Sequence, residues 1–341
     1  MTARWTSRRC PRSTGSSPAT ACTASRCTKR RELPLFTRPA CRRATEFVPE
    51  EKQMRDVARK LSGPGHEKAK ALYDMGSTTV YASCHDPRFP YVLYVPHEIL
   101  APGNDVELVV VMHGTGRQFT QYRDAFAPFG RWNRCIILCP LFPVGIRGDG
   151  DRNGFKRLVE GDIRYDRVLL HMVSEVGERY GKRFDRFALF GYSGGGQFVN
   201  RFAYVHPERL WAASIGAPGN VTVVDQTKDW WLGVGGFERH FGKPFDVAAL
   251  KRVPVQMVVG RADLETWEIT VREDSPMYLP GINDAGVTRL ERLRTLKASF
   301  EAAGIQVRFD ELDNIAHNGT QVVEVVQDFF AQVLRTMRAG D

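Results

Sequence analysis

The sequence predicts an α/β fold, a mixed and mostly parallel sheet of about eight strands with helices on both faces. Three observations predict it. Apolar runs of strand length, such as "VELVVV" and "RCIILCP", are continuous rather than alternating, which suits strands buried on both faces. These runs alternate with stretches of helical periodicity such as "RVLLHMVSEVGERY". Glycine-rich turns end several of the runs.

The elements follow in order. "EFVPEEKQMRDVARKLSG" reads as a helix closed by Gly63. "STTVYASC" and "PYVLYVP" are short Val- and Tyr-rich strands, paired most simply as an antiparallel hairpin across "HDPRF". "VELVVVMHGTG" is a buried strand running into a turn, and "RCIILCP" is the next strand. Leu169, Met172, Val173, Val176 and Tyr180 then recur at helical offsets, with Gly181 placed as the C-cap. "FDRFALFGYS" is a strand, followed by the helix "GGQFVNRFAYVHPERL", which ends at His206-Pro207. "WAASIGAPG" and "VPVQMVVG" are strands, "TRLERLRTLKASFEAAG" is a helix closing at Gly304, and "IQVRFDEL" is the last strand. In the final helix Val322, Val326, Phe329, Phe330, Val333 and Met337 share one face. Residues 220–250 break the alternation. They read as a cap-like excursion over the C-terminal strand ends, where α/β proteins bind ligands.

Charge and cysteine usage narrow the function classes. The chain has 341 residues, is 43% hydrophobic and carries +9 at neutral pH. Residues 1–45 hold 11 Lys/Arg and one acid, Glu32, so their +10 leaves −1 on everything after them. The basic balance belongs to a tail rich in Arg, Ser, Thr and Pro, read as disordered, followed by a single domain over 46–341. A nucleic-acid partner therefore loses its main support. The tail has no apolar core of a secretory signal, and an Arg- and Ser-rich composition also suits an organelle transit peptide; a cytoplasmic location is expected. Cys84, Cys135 and Cys139 follow the four tail cysteines without metal spacing, so no metal is expected. No apolar run reaches the roughly 20 residues that span a bilayer.

The chemistry is carried by "ALFGYSGGGQFVN", Ala188 to Asn200. Gly191-Tyr192-Ser193-Gly194-Gly195 matches G-x-S-x-G between a strand and a helix, the context that motif needs. The turn is sharp, so Gly191 and Gly195 must lack Cβ atoms. The helix start favours an oxyanion beside Ser193, with the Gly194 N–H as donor. A serine nucleophile needs a base, and the base an orienting acid. Asp263 follows the strand "VPVQMVVG", and His317 lies between the last strand and the last helix, in the chain order Ser, Asp, His.

With these residues in place, the chain resembles an α/β-hydrolase over roughly residues 75–338. The matching pieces are "VVVMHGTG" after the third strand, "GYSGG" after the fifth, "VVGRAD" after the seventh and "IAHN" after the eighth. Its pattern is similar to the esterase and polyester-depolymerase branches. The resemblance implies a second oxyanion N–H after His113-Gly114, by position Thr115, with Gly116 the alternative. It also implies ester hydrolysis through Ser193, His317 and Asp263, without cofactor, on a small or polymeric ester. Glu265 and Asp225 are alternative acids. His113, His171, His206 and His240 compete with His317. Trp230, Trp231 and Tyr192 are candidate pocket residues, against packing roles. Asp149 and Asp151 in "RGDGDRNG" lack calcium-loop spacing and read as a solvated loop. Amide cleavage by the same triad, or a non-catalytic binding protein of this fold, is the competing reading.

Overall fold

The computed structural model describes residues 64–100 and 106–340. The tail and the expected helix over 46–63 lie outside the described residues. The chain divides into two units, Met1–Val57 and Ala58–Asp341, and the second holds every element below.

Nine strands form one sheet: β1 (Gly76–Ser77), β2 (Tyr81–Ala82), β3 (Pro90–Val95), β4 (Glu107–Met112), β5 (Cys135–Pro140), β8 (Phe187–Tyr192), β9 (Leu210–Gly216), β10 (Val255–Gly260) and β11 (Val307–Leu312). A separate hairpin joins β6 (Val159–Glu160) to β7 (Ile163–Arg164). The order is β1-β3-β5-β4-β8-β9-β10-β11, with β2 also on β3. β1 and β2 pair antiparallel with β3, and β3 pairs antiparallel with β5. From β5 to β11 every pairing is parallel. The expected hairpin is thus present, and the sheet is mixed and mostly parallel.

The continuous apolar runs are buried along their length in β5, β8, β9 and β10, because helices cover both faces. On one face α2 (Phe119–Asn133) and α8 (Val323–Gly340) pack against each other and the sheet. On the other lie α3 (Tyr165–Tyr180), α4 (Gly194–Val205) and α7 (Arg289–Ala302). A short helix, α1 (Pro64–Tyr73), precedes β1. α3 ends at Gly181 with φ +63°, the left-handed C-cap. α7 opens with a capping box between Thr288 and Glu291. α2 was not expected from the sequence, since Pro128 lies inside it and Gly130 two residues on. Its buried Tyr122, Phe126 and Phe129 hold it to the sheet. Gly130 lets it approach closely, since a Cβ there would lie 2.8 Å from the Cys135 carbonyl oxygen.

The excursion holds two single-turn helices, α5 (Phe237–Phe241) and α6 (Val247–Leu250). A second long connection, residues 261–288 between β10 and α7, carries no regular element. Both excursions follow the C-terminal ends of parallel strands, as does the loop holding His317. The crevice above those ends is where the candidate site forms.

Candidate active site

β8 delivers Ser193 on a tight strand-to-helix turn. Ser193 has φ +57° and ψ −115°, a conformation costly for a residue with a Cβ. Its N–H donates to the Gly216 carbonyl at 2.8 Å and its carbonyl accepts from Gln197 N at 3.1 Å, so strand and helix both hold it. The flanking glycines are steric necessities. A Cβ on Gly191 would lie 2.5 Å from the Gly195 carbonyl, and one on Gly195 2.6 Å from the Met112 carbonyl oxygen. Thr115 lies against the start of α4, its N 3.1 Å from where a Gly194 Cβ would be.

The turn carrying Thr115 is fixed by His113. The fully buried His113 accepts from Phe142 N–H through Nε2 at 2.9 Å, so Nδ1 carries the proton and donates to the Gly114 carbonyl at 2.8 Å. Burial pushes this imidazole down to about 3, which keeps it neutral. Arg117 closes the turn by donating from Nη1 to the Thr115 carbonyl at 2.7 Å.

Asp263 emerges after β10 and is 1% exposed. Its Oδ2 meets His317 Nδ1 at 2.6 Å, and its Oδ1 accepts from Arg289 Nη1 at 3.1 Å. The His317 partner is therefore Asp263. Glu265 is exposed and contributes a backbone carbonyl to Arg289, while Asp225 is engaged with Thr227. The competing histidines lie elsewhere. His171 stacks on His85, His206 binds Asp166, and His240 is an exposed side chain beside Trp230.

Ser193 and His317 face one cavity of about 350 Å³, lined also by Gly114, Thr115, Gly116 and Tyr192. No hydrogen bond joins the Ser193 hydroxyl to His317 among the described residues. Tyr192 lies under His317 with ring centroids 5.1 Å apart, combining the pocket and packing roles. The tryptophans separate. Trp231 lines a second cavity that also reaches Ser193. Trp230 does not line either cavity. It packs edge-on against Phe237 and Phe241 of α5, which corrects the pocket role expected for it. A large flat side chain in this loop gains more by burial against the Phe237 and Phe241 rings than at a polar mouth.

Sequence reasoning missed Arg289, which bridges Asp263 and Glu268, with Nη2 2.5 Å from Glu268 Oε2. One signal was available. A cation in the first turn of a helix opposes the helix dipole, so a buried arginine there needs a specific anionic partner. Asp149 and Asp151 cap backbone N–H groups of their own loop, and Asp151 also meets Arg157. No cluster of three or more His, Cys, Asp or Glu side chains able to hold a metal occurs among the described residues. None of the described helices is long and apolar enough to cross a membrane.

Comparison with known proteins supports the architecture. No family model matches the sequence, and no curated protein matches it. Among solved structures, the chain is similar to poly(aspartic acid) hydrolase-1 from Sphingomonas sp. KT-1, at 22% identity and TM-score 0.60, over 74% of this chain and 97% of that one. It is also similar to a poly(3-hydroxybutyrate) depolymerase from Bordetella parapertussis, at 20% identity and TM-score 0.57, over 72% and 87% of the two chains. A ferulic acid esterase aligns at 13% identity and TM-score 0.50, over 76% and 98%. These likenesses, with the sheet order above, show the α/β-hydrolase fold.

Proposed function

We propose that the protein is a serine hydrolase that cleaves carboxylic esters through an acyl-enzyme. One observation carries the reading: the 2.6 Å Asp263–His317 contact borders the same cavity as a serine held at φ +57° on a strand-to-helix turn. A surface serine has no need of that strain, and a surface histidine none of a buried carboxylate.

In this mechanism Ser193 Oγ attacks the ester carbonyl as His317 Nε2 takes its proton. Asp263 fixes the Nδ1–H tautomer and stabilises the imidazolium. The N–H groups of Gly194 and Thr115 receive the oxyanion, each donor contributing about 3–4 kcal/mol. His317 then protonates the departing alcohol. Water, deprotonated by His317, attacks the acyl-enzyme and releases the acid. Seating the substrate brings the Ser193 hydroxyl and His317 within hydrogen-bonding reach, a contact often loose in free enzymes. Arg289 holds the second carboxylate oxygen of Asp263, so the carboxylate cannot rotate away from the imidazole. The solved structures described above include a protein named as an esterase and one named as a poly(3-hydroxybutyrate) depolymerase, which supports an ester as the substrate.

The test is turnover of short p-nitrophenyl esters together with labelling by a fluorophosphonate. Both are expected in the intact protein and absent in Ser193→Ala. Labelling that persists in Ser193→Ala overturns the nucleophile.

A further inference from the structure

The second cavity, about 230 Å³, opens beside Ser193 and away from His317. Its walls hold an unusual amount of uncompensated positive charge. Lys156 reaches in alongside the start of α4, its Cε 2.9 Å from where a Gly194 Cβ would lie, and its Nζ donates to Asn153 Oδ1 at 2.7 Å. Behind the wall, Arg201 is 0% exposed and donates only to neutral oxygens: Thr222 Oγ1, Gln197 Oε1, Asn220 Oδ1 and the Lys156 carbonyl. Its guanidinium lies 5.1 Å from the centroid of the Trp231 ring. Arg292, 1% exposed, likewise donates to the Gly219, Ile269 and Gly286 carbonyls and to Asn283 Oδ1. Gln197, Asn220, Gly219, Ile269 and Trp231 are themselves cavity walls, so both guanidinium groups stand one layer behind the surface a ligand touches. Exposed Arg152 stands at the rim.

The nearby carboxylates are already taken. Glu268 is held by Arg289, Asp263 by Arg289 and His317, and Asp151 by Arg157. Lys156, Arg152, Arg201 and Arg292 have no carboxylate within ion-pair distance among the described residues. Burying a cation without a counter-charge is costly, and protein interiors normally avoid it. Around a cavity with low-dielectric walls the same charges focus a positive potential on whatever enters. Burial pushes the Lys156 ammonium down to about 8, and an anion seated beside it would favour its charged form.

The cavity's place relative to His317 decides which part of the substrate it receives. The leaving alcohol takes its proton from His317, which lines the first cavity and not the second. The acyl group therefore extends into the second. We propose that this cavity binds a carboxylate on the acyl group, so that the preferred substrate is a half-ester of a dicarboxylic acid. The inference rests on the ester-hydrolase reading and specifies its substrate class. Lys156 and Arg152 contact the carboxylate directly, while Arg201 and Arg292 supply the field behind Gln197, Asn220 and Gly219.

The experiment compares mono-p-nitrophenyl adipate with p-nitrophenyl hexanoate, acyl chains of equal length differing in the terminal carboxylate, with spontaneous hydrolysis subtracted. The adipate half-ester is expected to have a kcat/KM higher by about tenfold or more at low salt, the advantage shrinking as salt rises. Lys156→Met and Arg152→Gln are each expected to lower the adipate-to-hexanoate ratio, and the ratio rather than either rate is the readout. Lys156→Met is also expected to hold or raise Tm, because it removes a partly buried charge that has no carboxylate partner. A purely structural Lys156 would lower Tm and leave the ratio unchanged, which overturns its assignment. Equal turnover of the two esters overturns the carboxylate site and leaves ester hydrolysis standing. Turnover of neither overturns both.

Discussion

Ser193 sits where backbone comfort and chemistry conflict. Its φ of +57° with ψ of −115° costs about 1–3 kcal/mol in a residue with a Cβ. Ser193→Gly is therefore expected to raise the unfolding free energy in urea by about 1–3 kcal/mol while removing ester turnover. A loss of stability would show that the turn is not strained. The acid is tested in the same register. Asp263→Asn leaves the imidazole in the wrong tautomer and is expected to cut kcat by about 10⁴, whereas the exposed Glu265→Gln should stay within a few-fold. Stopped-flow or steady-state ester assays distinguish them, and a crippled Glu265→Gln would reassign the acid. Ser193, Asp263 and His317 were legible because each follows a strand and their chain order matches one topology. Arg289, Lys156 and Arg201 were not. Apart from the unfavourable first-turn position of Arg289, no local pattern tells a buried arginine from a surface one, because its partners come from segments distant in sequence.

The turn between β8 and α4 works only because helix and sheet touch backbone to backbone. A Cβ on Gly196 would collide with the Gly216 carbonyl oxygen on β9. Gly196→Ala is thus expected to destabilise the protein by about 1–3 kcal/mol and to lower turnover by tilting the start of α4. Thermal melts and ester assays on that variant check both. The parallel strands were legible because burial on both faces leaves unbroken apolar runs such as "CIILCP". α2 was not, because Pro128 and Gly130 read as breakers. Its stability comes from Tyr122, Phe126 and Phe129 buried against the sheet, which propensity does not register. Residues 261–288 were equally silent. They supply Glu268, Ile269 and Met277 to the second cavity with no period to announce them.

Across the whole molecule, burial of neutral groups ties stability to pH. The His113 imidazole falls from 6.5 to about 3 on folding. Below about pH 6.5 the unfolded chain takes up a proton there that the folded chain refuses, so this contribution to stability falls as pH drops from 6.5 toward 3. Urea midpoints are expected to decline between pH 7 and pH 4. In His113→Gln the decline should be shallower, and an unchanged slope would assign acid sensitivity to the carboxylates alone.

β11, which leads into the loop holding His317, also forms an edge of the sheet. It is the last strand of an open sheet, so its outer row of N–H and C=O groups is a template for another chain. The strand "VRFDEL" answers with charged side chains of both signs. Arg308 meets Asp310, and Glu311 meets both Arg261 and Arg294. A neighbouring copy adding a strand there must first strip water from these ion pairs. The mixed composition of β11 thus also protects the protein from edge-to-edge aggregation.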